Sequence, residues 1–177
     1  MLDHKVIVRE ARDSDREAVI KVLVDAYQQY EKKLSEERWN QYKENILLTI
    51  DSSTTKSRLV AEVDSEVVGS VFIYDSAEAA YGSSELDIRN PIIRLLGVSQ
   101  RARGFGVATE LIRSSAKLSL EWGADTLHLH TSDMMDSAVR LYERLGFERA
   151  FDQEYWNGDL LVKSYRLELK KTTLLHV

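Results

Sequence analysis

Residues 98–109 read Val98-Ser99-Gln100-Arg101-Ala102-Arg103-Gly104-Phe105-Gly106-Val107-Ala108-Thr109, and this stretch decides the fold. Before it lies the apolar run Ile92-Ile93-Arg94-Leu95-Leu96-Gly97-Val98, which reads as a central strand. After it Val107, Leu111, Leu118 and Trp122 fall on one helical face. The connection is therefore strand, glycine loop, helix. A helix's first turn leaves backbone N–H groups without partners and carries the positive end of the dipole, so an anion placed there is stabilised twice over. Glycine allows positive φ and close approach of a ligand to the main chain, and Arg103 adds a fixed charge. The same residues also serve ordinary tight turns, so the loop by itself leaves both readings open.

Two nucleotide-binding patterns fail. No Gly-Lys-Ser/Thr closes the loop, and no lysine stands between Lys56 and Lys117. A dinucleotide fingerprint needs a third glycine where Thr109 stands, and only Asp133 sits roughly where a ribose-binding acid would be.

What remains is Arg103-Gly104-Phe105-Gly106-Val107-Ala108, followed downstream by Ala138-Val139-Arg140-Leu141-Tyr142-Glu143-Arg144-Leu145-Gly146-Phe147. The first resembles the acyl-CoA pyrophosphate loop of the GNAT superfamily of N-acetyltransferases. The second is similar to that superfamily's A-x-x-L-Y-x-x-x-G-F segment, in the same order and with a strand between. The resemblance runs from about Val6 to Leu169. It implies a single α/β domain over residues 1–177, a mixed central sheet flanked by helices in the order β-α-α-β-β-β-α-β-α-β-β. It also implies acetyl-CoA as cosubstrate, with the pantetheine arm paired to the main chain of Leu96, Gly97 and Val98. The pyrophosphate then falls to Arg103, Gly104, Phe105, Gly106, Val107, Ala108 and Thr109. Tyr142 takes the role of general acid, because a phenol near pKa 10 is still protonated at neutral pH.

The implied reaction is direct transfer of an acetyl group to a primary amine, on a small molecule or a protein lysine, in a ternary complex. Without cysteine the chain offers no thiol for a covalent route. The resemblance also leaves room for a homodimer. A competing reading is a non-catalytic acyl-CoA-binding or regulatory module of the same fold, and a minor variant transfers longer acyl chains or forms an ester.

Composition suits one globular α/β domain: 177 residues, 44% hydrophobic and 30% charged, enough to bury a core without staples. The absence of cysteine excludes disulfides and thiolate metal sites and makes a reducing cytoplasm the expected compartment. No apolar run approaches the roughly 20 residues of a membrane span, and Met1-Leu2-Asp3-His4-Lys5 lacks a signal-peptide core. A net charge of -5 with no long basic run argues against nucleic acid as a partner.

Other elements follow from local signals. Val6-Ile7-Val8 reads as a strand, and Ser14-Asp15-Arg16-Glu17 as a capping-box start to a helix reaching about Gln28. Ser35 is placed to cap a second helix bearing Trp39, Tyr42, Ile46 and Leu47. Residues 58–63 and 67–74 form a hairpin turned at Asp64-Ser65-Glu66, and a polar stretch covers 75–90. Gly123 stops the helix after the loop. Thr126 to Thr131 alternates as a strand, Ser132 or Asp133 caps the helix holding Tyr142, and Gly146 is its C′ residue with Phe147 packing back. Two strands are expected at about 148–156 and 160–169, turned at Asn157-Gly158-Asp159.

Against the family's pattern, Ile92 stands where a strand carboxylate often acts as base, and Met135 where an asparagine often touches the cofactor. Glu85, Asp87 and Glu154 are the candidate bases. With Asp152 they would give the acceptor end a negative potential that attracts a cationic amine. His128 and His130 share one face of a strand, but with no cysteine and no third ligand at a recognisable spacing, a hydrogen-bonded structural role outweighs a metal. Tyr27, Tyr30, Trp39, Tyr42, Tyr155 and Trp156 are further candidates to line an acceptor pocket.

Overall fold

Residues 68–74 are buried without interruption in strand β3, Glu66–Tyr74, which places this strand in the interior of a sheet. The computed structural model describes residues 5–52, 54–81, 88–131, 136–157 and 160–175. The candidate carboxylates Glu85 and Asp87, the capping pair Ser132 and Asp133, Met135 and the turn residues Gly158 and Asp159 lie outside the described residues. Two compact units emerge, Met1–Phe72 with Leu95–Ile112, and Ile73–Arg94 with Arg113–Val177.

The first unit holds strands in the order β1-β2-β3-β4. Strand β1, Val6–Glu10, runs antiparallel to β2, Ser57–Val63, from Val6↔Val63 to Glu10↔Leu59. The β2–β3 turn puts Asp64 and Ser65 at φ 52° and 67°, two left-handed residues as a tight hairpin requires. Helix α1, Arg16–Gln28, buries Val19, Val22, Leu23 and Ala26, and α2, Glu36–Ile50, buries Trp39, Ile46 and Ile50. Ser35 caps α2 as expected, its Oγ accepting from the Arg38 amide at 3.2 Å.

The start of α1 differs from expectation. Asp15, not Ser14, organises it, after a 3₁₀ turn over Asp13–Asp15. Its carboxylate accepts from the Arg12 amide at 2.7 Å and from both terminal nitrogens of Arg9, at 2.8 and 3.0 Å. A carboxylate held by a guanidinium from β1 outcompetes a serine hydroxyl for this position.

The second unit continues β4, Ile92–Val98, and pairs it in parallel with β5, Thr126–Thr131. Strand β8, Leu160–Glu168, runs antiparallel to β5 from Thr126↔Glu168 to Thr131↔Lys163. Parallel and antiparallel ladders coexist, so the sheet is mixed. Two elements escaped the sequence reading. A short helix α3, Ala77–Tyr81, occupies the polar stretch. The expected strand over 148–156 is broken into β6, Glu148–Arg149, and β7, Tyr155–Asn157, by a 3₁₀ turn at Phe151–Gln153. Glu154 causes the break: its carboxylate bonds Arg149 and takes the Ser164 amide at 3.1 Å, a donor that a continuous ladder would give to a backbone carbonyl.

Helix α4, Val107–Glu121, ends at Gly123, φ 85°, where the Ala124 amide reaches the Ser119 carbonyl at 3.0 Å. Helix α5, Asp136–Arg144, ends at Gly146, φ 99°, with the Phe147 amide on the Tyr142 carbonyl at 3.0 Å. Both are left-handed glycine caps of the expected kind.

Candidate active site

The glycine loop has the backbone geometry expected of an anion cradle. Gly104 and Gly106 have φ of 88° and 78°, with open space where a Cβ would stand. The glycines are needed here for backbone conformation and not for packing. Among the described residues the amides of Gly104, Gly106, Val107, Ala108 and Thr109 donate to no other protein group, the first helical bond being Glu110 N–H to the Gly106 carbonyl at 3.1 Å. Five free donors thus gather at the N-terminal end of α4.

Neighbouring groups fix the loop. Asp25 of α1 accepts the Gln100 amide at 2.7 Å and its own carbonyl takes the Gln100 side-chain amide at 2.9 Å. Arg103 is exposed and steadied by Gln29 Oε1 at 2.8 Å. Arg101 is diverted to Glu66 at 2.6 Å, so Arg103 is the loop cation not claimed by a carboxylate. Behind the cradle, a Cβ on Gly69 of β3 would stand 2.7 Å from Val107 Cγ1 and 3.0 Å from Leu111 Cδ1. The missing side chain lets α4 sit close on the strand.

In β4, Gly97 serves α1 in the same way, since a Cβ there would stand 2.8 Å from Leu23 Cδ2 and 3.2 Å from Ala26 Cβ. Leu95 is unexpected, with φ 51° in the middle of the strand. A bulky residue in the left-handed region is strained, and such strain concentrates at functional positions. The β4–β5 register covers only Ile92↔His128 and Ile93↔Leu129 among the described residues. Main-chain groups of β4 at Leu96, Gly97 and Val98 therefore lie beyond that ladder. No sequence signal marks Leu95, because leucine is ordinary in a strand.

The second unit carries Tyr142, 8% exposed on α5, with its ring 5.8 Å from that of Phe147. Ile92 is fully buried opposite His128 and has no proton-accepting group. Glu154 is engaged by Arg149 and the Ser164 amide, and the Arg149 hydrogen bond leads in holding its pKa below the usual carboxylate range. That makes it a poor base. Asp152 lies 3.6 Å from Arg166. Of the four carboxylates expected to create a negative potential, the two described are offset by arginines.

Four polar side chains from separate segments meet instead. Tyr81 Oη lies 2.7 Å from His130 Nδ1, and the Arg94 guanidinium lies 4.9 Å from the Tyr81 ring centre and 5.9 Å from that of Tyr74. Tyr155 packs on His130 at 5.8 Å. His128 Nε2 lies 2.9 Å from Thr126 Oγ1. Burial drives both histidines down to about 4, so both are neutral at ordinary pH. Among the described residues no three metal-ligating side chains gather, and no helix is long and apolar enough to cross a membrane. Of the aromatic candidates, Trp39 is buried core, Tyr27 packs on Tyr30 and Tyr42 at 6.3 and 6.2 Å, and Trp156 is 68% exposed.

A mixed sheet, a glycine cradle at a helix start and a tyrosine on the following helix define an acyl-CoA-type transferase architecture. The sequence model of the Acetyltransferase (GNAT) family matches residues 17–147, and the chain belongs to that family. It is similar to N-acetyltransferase 8B of Rattus norvegicus, 32% identical over 124 residues, covering 66% of this chain and 54% of the relative. Human N-acetyltransferase 8B is 30% identical over 66% of this chain and 52% of its own length. The chain thus spans about half the length of these curated relatives. In fold it is similar to the PaiA N-acetyltransferase of Thermoplasma acidophilum in complex with coenzyme A, with TM-score 0.70, 17% identity, and coverage of 92% and 99%. A GNAT acetyltransferase of Brucella melitensis in complex with acetyl-CoA gives TM-score 0.63 at 18% identity, covering 93% and 88%.

Proposed function

We propose that the chain transfers an acetyl group from acetyl-CoA to a primary amine. The observation that carries this is the cradle: five amides without acceptors among the described residues, two glycines at positive φ and the exposed Arg103, a donor set suited to a pyrophosphate. The main chain of Leu96, Gly97 and Val98 positions the pantetheine arm. The acceptor nitrogen attacks the thioester carbonyl, the carbon–sulfur bond breaks, the amine gives up a proton to water, and Tyr142 protonates the departing thiolate. Positioning and proton delivery supply the rate enhancement, because the thioester is already activated. A cytoplasmic setting belongs to this reading and rests on the cysteine-free composition.

The structural relatives in complex with coenzyme A and acetyl-CoA and the N-acetyltransferase names of the sequence relatives support this reading. A second reading, an acyl-CoA-binding module without turnover, is favoured by the buried Ile92 and the engaged Glu154. Thiol release from acetyl-CoA across an amine panel separates the two. Calorimetric titration with coenzyme A tests the cradle: Arg103→Glu weakens binding by roughly tenfold or more, the worth of a charge-assisted contact replaced by repulsion. Unchanged affinity in the folded variant refutes the site.

A further inference from the structure

We infer that Arg94, with the Tyr74 hydroxyl and with His130 as its neutral neighbour, binds a carboxylate carried by the amine acceptor, an inference that rests on the acetyl-transfer reading above. Arg94 is pinned along one edge. Its Nη1 donates to the Ala80 carbonyl at 2.7 Å, and its plane is held against Tyr81 at 4.9 Å and near Tyr74 at 5.9 Å. Stacking and one backbone bond fix the fork's direction. Its Nε and Nη2 have no acceptor among the described residues.

One neutral donor, the Tyr74 hydroxyl, joins this cation, and a neutral histidine stands beside it. The Tyr81 hydroxyl has no acceptor other than His130 Nδ1 among the described residues, so it donates there and the ring proton sits on Nε2. The Gln153 main chain faces that ring, whereas the hydroxyl of Tyr74, whose side chain is 1% exposed, is buried without a partner among the described residues. Buried donors left without acceptors destabilise a fold and call for an explanation. A ligand oxygen supplies one.

The charge balance selects the ligand. Burial keeps His130 and Tyr81 neutral. The carboxylate of Glu154 is spent on Arg149 and the Ser164 amide. Among the described residues Arg94 therefore has no carboxylate partner, and its neighbours Tyr74, Tyr81 and His130 are uncharged. A planar monoanion with two oxygens matches a single guanidinium edge, whereas a phosphate dianion would ask for more cationic partners. Arg94 also precedes Leu96, Gly97 and Val98 in the same strand. The acceptor class is then an amine that also bears a carboxylate, a narrower class than the cationic amine expected from Glu85, Asp87, Asp152 and Glu154 in the sequence.

Matched pairs test this: α-, β- and γ-amino acids against their carboxamides, compared by kcat/KM. The acid is preferred by about 10- to 100-fold, the usual worth of hydrogen bonds to a charged group, and Arg94→Gln brings the ratio toward one. Tyr74→Phe, which keeps the ring, lowers the same ratio and serves if Arg94→Gln does not fold. A readout without turnover is the His130 ring proton in NMR during titration with N-acetylglycine and N-acetylglycinamide. It shifts with the acid alone. If no amine is acetylated but the shift appears, the transfer reading fails and the carboxylate site stands. Equal rates for acid and amide, or a His130 resonance indifferent to N-acetylglycine, overturn the site.

Discussion

Gly69→Ala tests how the cradle is held. An alanine Cβ at this position stands 2.7 Å from Val107 Cγ1 and 3.0 Å from Leu111 Cδ1, against an ordinary carbon–carbon separation of about 3.5 to 4.0 Å. The first turn of α4 must therefore withdraw by about 1 Å. Val107 cannot swing aside, because a β-branched side chain in a helix has essentially one χ1 rotamer. It is also 2% exposed, and Leu111 is fully buried. Overpacking of this kind costs about 1 to 3 kcal/mol. The withdrawal moves the amides of Val107, Ala108 and Thr109 from the positions in which they are proposed to bind the pyrophosphate, so coenzyme A affinity falls by roughly tenfold through weakened hydrogen bonds to charge. Urea denaturation and calorimetric titration measure the two effects. Adding Val107→Ala removes the clashing methyl, so the double variant is more stable than the sum of the single effects by about 1 kcal/mol or more. Wild-type stability in Gly69→Ala, or strict additivity in the cycle, refutes the reasoning.

Tyr142→Phe keeps the ring beside Phe147 and removes the proposed proton donor. It lowers kcat by about 10² to 10⁴ with little change in coenzyme A affinity, and an unchanged kcat where chemistry limits turnover would show that the hydroxyl is not the acid. Leu95→Val destabilises by about 1 kcal/mol or more, because a β-branched residue tolerates φ 51° worse than leucine. Strand propensity alone predicts the opposite sign, so a stabilised variant in urea would remove the strained conformation. Stability also depends on pH in a defined window. His128 and His130 are lowered to about 4, chiefly by burial, against an ordinary value near 6.5. The unfolded chain thus binds more protons between these values, and stability is lost as pH falls from about 6.5 through about 4, by at most about 3 kcal/mol per histidine. Asp15, lowered to about 2 chiefly by its Arg9 hydrogen bond, adds a further loss between about pH 4 and 2. A urea midpoint that does not change between pH 7 and 4.5 would contradict the buried, neutral histidines.

The features legible in the chain order are those whose physics is local. Gly104 and Gly106 announce positive φ within a few residues of the helix they open, Gly146 and Phe147 announce a cap, and Ser35 announces the helix that begins at the next residue, capping the amide three residues on. Each depends on backbone geometry and near neighbours, which sequence spacing records. Tertiary structure decided what depends on distant partners. Arg9 of β1 displaced Ser14 from the start of α1 by claiming Asp15. Glu154 broke an otherwise β-rich segment by bonding Arg149 and the Ser164 amide. Leu95 took a left-handed conformation that its own side chain disfavours. The Tyr74, Tyr81, Arg94 and His130 group joins residues up to 56 positions apart, one from each of β3, α3, β4 and β5. Chain order states which residues a protein has and what each prefers nearby; which charge meets which partner across that distance is settled only when the strands align.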